Sequence, residues 1–178
     1  MILSAQTIRA LKPVEPFCER SIAYGMSYGL GPNGYDIRIA EDLIIPARSY
    51  ALASSIEYFT IPLTIMASVK DKSTWARQFL SVFNTDIDAG FSGYLTLELV
   101  NNSYQSIMIH RGSPIAKIIF AFLDAPTEIG YNGAYQNQRS GPVEAAVQEA
   151  THAIRQECDE YACMCGARWA VSEGEEHP

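Results

Sequence analysis

Between Tyr35 and about Phe122 the chain alternates short β-prone runs with turn signals, and no helical period interrupts them. The runs are YDIRIA, DLIIPA, YALASSIEYFTI, LTIMASVK, FLSVFNT, YLTLELV, QSIMIH and IAKIIFAFL. Strands that follow one another without helices cannot form parallel βαβ units, so the pattern predicts a mainly β sandwich or barrel. Pro46, Pro62 and Pro114 mark strand ends or edges, and Gly90, Gly93 and Gly112 mark turns. With 178 residues, such a domain can bury roughly 70% of its unfolded surface without a metal or disulfide staple.

The flanks read differently. Ser4 ahead of AQTIRAL predicts an N-cap and a short helix, stopped by Pro13 and Pro16. The segment SIAYGMSYGLGPNG has no clear period and reads as an ordered loop, held by its aromatic residues. From Pro142 the composition changes: Val143, Val147, Ala150, Ile154, Tyr161 and Met164 recur at helical spacing, with a break near Gly166 and an acidic tail, SEGEEHP. The expected division is therefore residues 1–141 as the β domain and 142–178 as a helical extension.

A net charge of −7 argues against a nucleic-acid partner, because a phosphate-backbone footprint needs many Lys and Arg contacts. An anionic small molecule remains compatible, since a few local cations and amides suffice to hold it. The opening MILSAQTIRALKP lacks the apolar core of a signal peptide, and no window has about 18 uninterrupted apolar residues. The reading is a cytoplasmic protein with no membrane contact. Cys18 stands alone and Cys158, Cys163 and Cys165 crowd near the end, so reduced thiols are expected.

Two segments carry candidate chemistry. DKSTWARQFL places Lys72, Ser73, Thr74 and Arg77 where a turn enters a short helix, which suits either phosphate contacts or a solvated surface helix. In YLTLELV, Leu95, Leu97 and Leu99 share one strand face while Thr96 and Glu98 share the other. Glu98 is thus either a solvated strand glutamate or a partly shielded carboxylate available for proton transfer. A zinc site is not indicated: metal-dependent nucleobase deaminases carry H-x-E and P-C-x-x-C, and neither occurs in this chain. His110, His152 and His177 are scattered, and Cys163 and Cys165 are spaced so as to point apart on a helix.

Taken in order, MILS, GYDIRI, ALASSIEYFTIP, DKSTWAR, DIDAGFSGYLTLELVN, RGSPIAKIIF and YNGAYQNQ resemble the dCTP deaminase branch of the dUTPase-like family, through most of residues 1 to 142. The resemblance implies a distorted jelly-roll or β-barrel fold and a homotrimer with active sites at subunit interfaces. It implies that Glu98 is the catalytic carboxylate, activating water without zinc, with Arg77 close by and adjusting its pKa. Lys72, Ser73 and Thr74 would hold the triphosphate, which would carry Mg2+. Asn84 and Thr85 would lie near the pyrimidine, Asp88 beside the sugar and base, and Tyr131 and Gln138 on a closing C-terminal arm.

Three departures qualify that expectation. Ala134 stands where the family usually has a triphosphate-contacting lysine, leaving Arg139 as a substitute cation. Lys117 stands where glutamine is frequent, and the surroundings of Asn84 differ from the better-known members. The expected activity is hydrolytic deamination of dCTP, or of a modified dCTP, to the corresponding dUTP and ammonia. The alternatives are a dUTPase or deoxynucleoside triphosphate pyrophosphatase, a bifunctional enzyme forming dUMP from dCTP, and a non-catalytic nucleotide-binding regulator.

Overall fold

The computed structural model describes residues 1–146, of which Met1–Glu144 form one compact unit. The amphipathic run beyond residue 146, its cysteines and the acidic tail lie outside the described residues.

Helix α1 (Ala5–Leu11) starts at Ser4, whose carbonyl accepts the N–H groups of Thr7 and Ile8, and ends at Lys12 in the left-handed conformation. Only Ile8 of this helix is buried. Strands β1 (Val14–Glu15), β2 (Ser21–Ala23), β3 (Met26–Gly31), β4 (Gly34–Arg38), β5 (Leu43–Ile45), β6 (Tyr50–Thr60) and β7 (Ile65–Asp71) follow. A single-turn helix, α2 (Ser73–Ala76), then leads to β8 (Leu80–Val82), β9 (Asp86–Ile87), β10 (Ser92–Asn101), β11 (Ile107–Ile109) and β12 (Pro114–Phe122).

The strands form a six-stranded sheet in the order β2-β3-β4-β12-β7-β9, a four-stranded sheet β1-β6-β10-β8 and the pair β11-β5. All named strand pairs are antiparallel. The mainly β expectation is met, and each of the eight β-prone runs between Tyr35 and Phe122 contributes a strand. The segment SIAYGMSYGLGPNG corrects the sequence reading: it is not a loop but the β2–β3 hairpin and the turn into β4. Tyr24 and Gly25 take positive φ at the hairpin tip, and the strands are held by backbone pairing rather than by an alternating apolar face. A period-2 pattern was therefore absent where a strand was present.

The core lies between the inner faces of the two large sheets. Tyr35 and Ile37 of β4, Ile118 and Phe120 of β12, Phe59 of β6 and Leu97 and Leu99 of β10 are buried there. Arg38 of β4 and Glu57 of β6 join the sheets by a salt bridge: the Arg38 Nε donates to Glu57 Oε1 at 2.8 Å and the Arg38 N–H to Oε2 at 2.9 Å. Burial pushes the Glu57 carboxyl above its ordinary range, and these bonds from Arg38 oppose the shift.

A carboxylate on an outward strand face

Strand β10 shows the predicted alternation. Leu95, Leu97 and Leu99 are buried against the core, while Tyr94, Thr96, Glu98 and Val100 face the other way and are half-buried. Antiparallel pairing with β6 sets Thr96 opposite Ser54 and Glu98 opposite Leu52. On the other side β8 pairs Val82 with Leu99, and the N–H of the next residue, Phe83, donates to the Glu98 carbonyl at 3.0 Å. Glu98 thus projects from the strand flanked by Leu52 and Phe83. Burial pushes its carboxyl above the ordinary glutamate value, with a smaller opposing contribution from its own backbone N–H. Among the described residues no cation forms an ion pair with it. Within one chain its shift therefore comes from burial, not from Arg77, which is exposed.

The segment after β7 divides the predicted phosphate contacts. Trp75 is buried and its Nε1 donates to the Pro114 carbonyl at 2.7 Å, which anchors α2 to the start of β12. Lys72 is buried as well, and its Nζ meets Asp36 Oδ2 at 2.7 Å. Ser73, Thr74 and Arg77 face solvent from the same turn.

The remaining predicted residues gather around the two ends of β10. Asn84 and Thr85 are exposed in the turn that follows Phe83, where the Thr85 N–H donates to the Phe83 carbonyl at 2.9 Å. Asp88 lies in the β9–β10 turn and lines a concavity of about 450 Å³ together with Gly130, Tyr131 and Asn132. The Tyr131 N–H donates to the Ala89 carbonyl at 2.8 Å, and its ring packs edge-on to Phe91 with centroids 5.7 Å apart. Gly90 has φ +85, and a Cβ there would meet the Gly130 Cα at 2.9 Å, so the two turns touch because neither carries a side chain. Residues 137–143 then run along β10. Gln138 accepts the Tyr94 N–H at 3.0 Å and donates its amide to Thr96 Oγ1, which also accepts the Val143 N–H at 3.0 Å. The fold therefore brings Gln138 to the outward face that carries Glu98, and Asp88 to Tyr131, while Arg77 forms no ion pair with Glu98.

Residues 33–123 match the family model described as dCTP deaminase-like. A dCTP deaminase of Campylobacter lari is 33% identical over 158 residues, covering 70% of this chain and 85% of the relative. That of Acidobacterium capsulatum is 33% identical over 159 residues, covering 71% and 87%. The chain belongs to the dCTP deaminase-like family. Among solved structures, the 2′-deoxycytidine 5′-triphosphate deaminase of Agrobacterium tumefaciens superposes with a TM-score of 0.56 at 18% identity, over 67% of this chain and 47% of that one. The dUTPase of phage phi11 of S. aureus gives a TM-score of 0.50 at 16% identity, over 67% and 92%. These two likenesses concern the fold.

Leu52 and Phe83, which stand beside Glu98 on the neighbouring strands of this dCTP deaminase-like chain, were not singled out in the sequence. Each sits in a run already read as a strand, but nothing local says which distant strand will lie beside Glu98. Lys117, in turn, donates to Asn33 Oδ1 at 3.1 Å and faces Asp36 and Lys70 across β12.

Proposed function

We propose that this protein deaminates dCTP to dUTP with release of ammonia. The observation that carries the reading is Glu98, a half-buried carboxylate that has no ion-pair partner among the described residues, shifted up by burial and set between Leu52 and Phe83 on the neighbouring strands. The names of the relatives support the substrate.

The chemistry asks one group to move two protons. Water attacks the ring carbon bearing the amine, the new C–O bond forms, and Glu98 takes the water proton and delivers it to the adjacent ring nitrogen. The second proton on that oxygen then passes through Glu98 to the amine, the C–N bond breaks, and ammonia leaves a uracil carbonyl behind. A carboxyl raised toward neutral pH is suited to both accepting and donating. Ser73 and Thr74, with Lys72 held against Asp36, would contact the triphosphate, which would bring Mg2+ on its own oxygens. Among the described residues there is no cluster of three His, Cys, Asp or Glu side chains that could hold an ion. No zinc is invoked. Asn84 and Thr85 would read the pyrimidine edge, Asp88 and Tyr131 the sugar, and Gln138 would close the site.

Arg77 fits this scheme as a residue delivered by a neighbouring copy. A homotrimer would put it beside the Glu98 of the next subunit, and exposed Tyr50, Phe79, Tyr104 and Met108 offer apolar surface for such an assembly. The compartment proposed is the cytoplasm, where deoxynucleoside triphosphates are used, and among the described residues no helix is long and apolar enough to cross a membrane.

A second reading rests on Asp88, exposed in the concavity with Tyr131, which could activate water against the phosphate chain as in a pyrophosphatase. Incubation with dCTP and Mg2+, with ammonia and pyrophosphate assayed separately, tests both. Ammonia without pyrophosphate is expected. Pyrophosphate alone would replace deamination with the second reading, and both products together would add dUMP formation.

A further inference from the structure

Next to Glu98 stands a side chain to which the proposed chemistry gives no task. The β8–β10 register runs Leu80 with Asn101, Ser81 with Val100 and Val82 with Leu99, and the Phe83 N–H continues it onto the Glu98 carbonyl at 3.0 Å. Leu80 and Val82 point into the core, so Ser81 and Phe83 point outward by strand alternation, on the face that carries Glu98. Phe83 is 58% exposed, and among the described residues it joins no aromatic pair. Its backbone is nevertheless held from both directions. Its N–H is bonded to Glu98, its carbonyl accepts the Thr85 N–H at 2.9 Å, and the Thr85 carbonyl accepts the Val69 N–H at 3.0 Å. An exposed aromatic ring on a fixed backbone, one strand away from a reactive carboxylate, is a preorganised flat apolar surface.

Resting on the deamination reading above, we propose that the Phe83 ring is the platform on which the pyrimidine stacks while Glu98 acts on its ring carbon. Stacking of a base on an aromatic side chain is insensitive to which base is stacked, because every base presents a π-face. Phe83 therefore supplies affinity without choosing between cytosine and uracil. That choice falls to groups along the edge of the ring, where Asn84 and Thr85 follow directly in sequence. Affinity of this kind is the same in the ground and transition states, so its loss appears in KM and not in kcat.

The test uses the full chain and the variants Phe83→Leu, which keeps apolar bulk but loses the planar face, and Phe83→Tyr, which keeps the face. Phe83→Leu is expected to raise KM for dCTP roughly ten- to a hundredfold, with kcat within about threefold of the parent. The equilibrium Kd for dUTP should rise by the same factor, and Phe83→Tyr should restore both. An unchanged KM in Phe83→Leu overturns the proposal, and so does a rise that tracks loss of assembly in sedimentation. Absence of ammonia from the parent protein would instead sink the deamination reading. The Kd of the parent and of Phe83→Leu for dCTP still decides the platform in that case, an unchanged Kd overturning it.

Discussion

Two glutamates of this protein are moved in the same direction by the same cause, and they end in opposite surroundings. Glu57 is 0% exposed, and Glu98 is half-buried on an outward strand face; in both, burial is the largest influence and raises the carboxyl. Glu57 has its charge answered by the Arg38 backbone and guanidinium, whose Cζ lies 4.6 Å from the Tyr28 ring centroid. Glu98 is left with apolar cross-strand neighbours and, among the described residues, no ion-pair partner. A raised pKa alone thus does not mark a reactive group, and the proposal for Glu98 adds to it an outward strand face and no ion-pair partner among the described residues.

The largest expected effect is at Glu98, the proposed catalytic carboxylate. Glu98→Gln should lower the rate of ammonia release by about a thousandfold while nucleotide binding, followed by calorimetry, stays near that of the parent. Retained turnover would erase the contrast between the two carboxylates. In the parent, Glu98 must be ionised to take the water proton. Since its folded pKa is raised, kcat/KM should fall with decreasing pH at values above the ordinary 4.5 of a glutamate.

Glu57 should behave in the reverse way. Arg38→Met leaves the fully buried Glu57 carboxylate without its counter-charge, and breaking such a pair costs roughly 3 kcal/mol or more. Urea unfolding should show that loss, and a variant with unchanged midpoint would remove Glu57 from the structural role. A smaller effect is expected at Arg139: if it replaces the lysine missing at Ala134, Arg139→Ala should raise KM for dCTP about fivefold, and an unchanged KM would discard the substitution. The smallest effect sharpens the comparison from the stability side. A carboxyl with a raised folded pKa destabilises the folded state once pH exceeds the unfolded value. Glu98→Gln should therefore melt a degree or two higher at neutral pH, and the difference should vanish in scans below about pH 4.

Much of the β architecture was legible because the strands between Tyr35 and Phe122, apart from the two-residue β9, advertise themselves locally. The buried and outward faces of β10 followed from simple alternation, and Ser4 stands at the N-cap of α1, although its side chain meets Thr7 Oγ1 instead of capping a backbone N–H. The β2–β3 hairpin escaped notice because Gly, Ser and Tyr leave no apolar period and the pairing is carried by the backbone. In the candidate site, Ser73, Thr74, Asn84, Thr85 and Asp88 occupy the exposed turns that their residue types suggest. Lys72 does not stand free, since Asp36 lies far away in sequence yet within hydrogen-bond reach in space.

By itself, then, the sequence determined the strand content, the side of β10 on which Glu98 stands and the order of segments that places the chain in its family. These depend on spacing along one stretch of backbone. The tertiary structure decided that Leu52 and Phe83 flank Glu98, that Arg38 neutralises Glu57 and that Gln138 returns to Thr96. Each of those pairings joins distant strands, and their register is selected by the packing of the whole core, which no local pattern encodes.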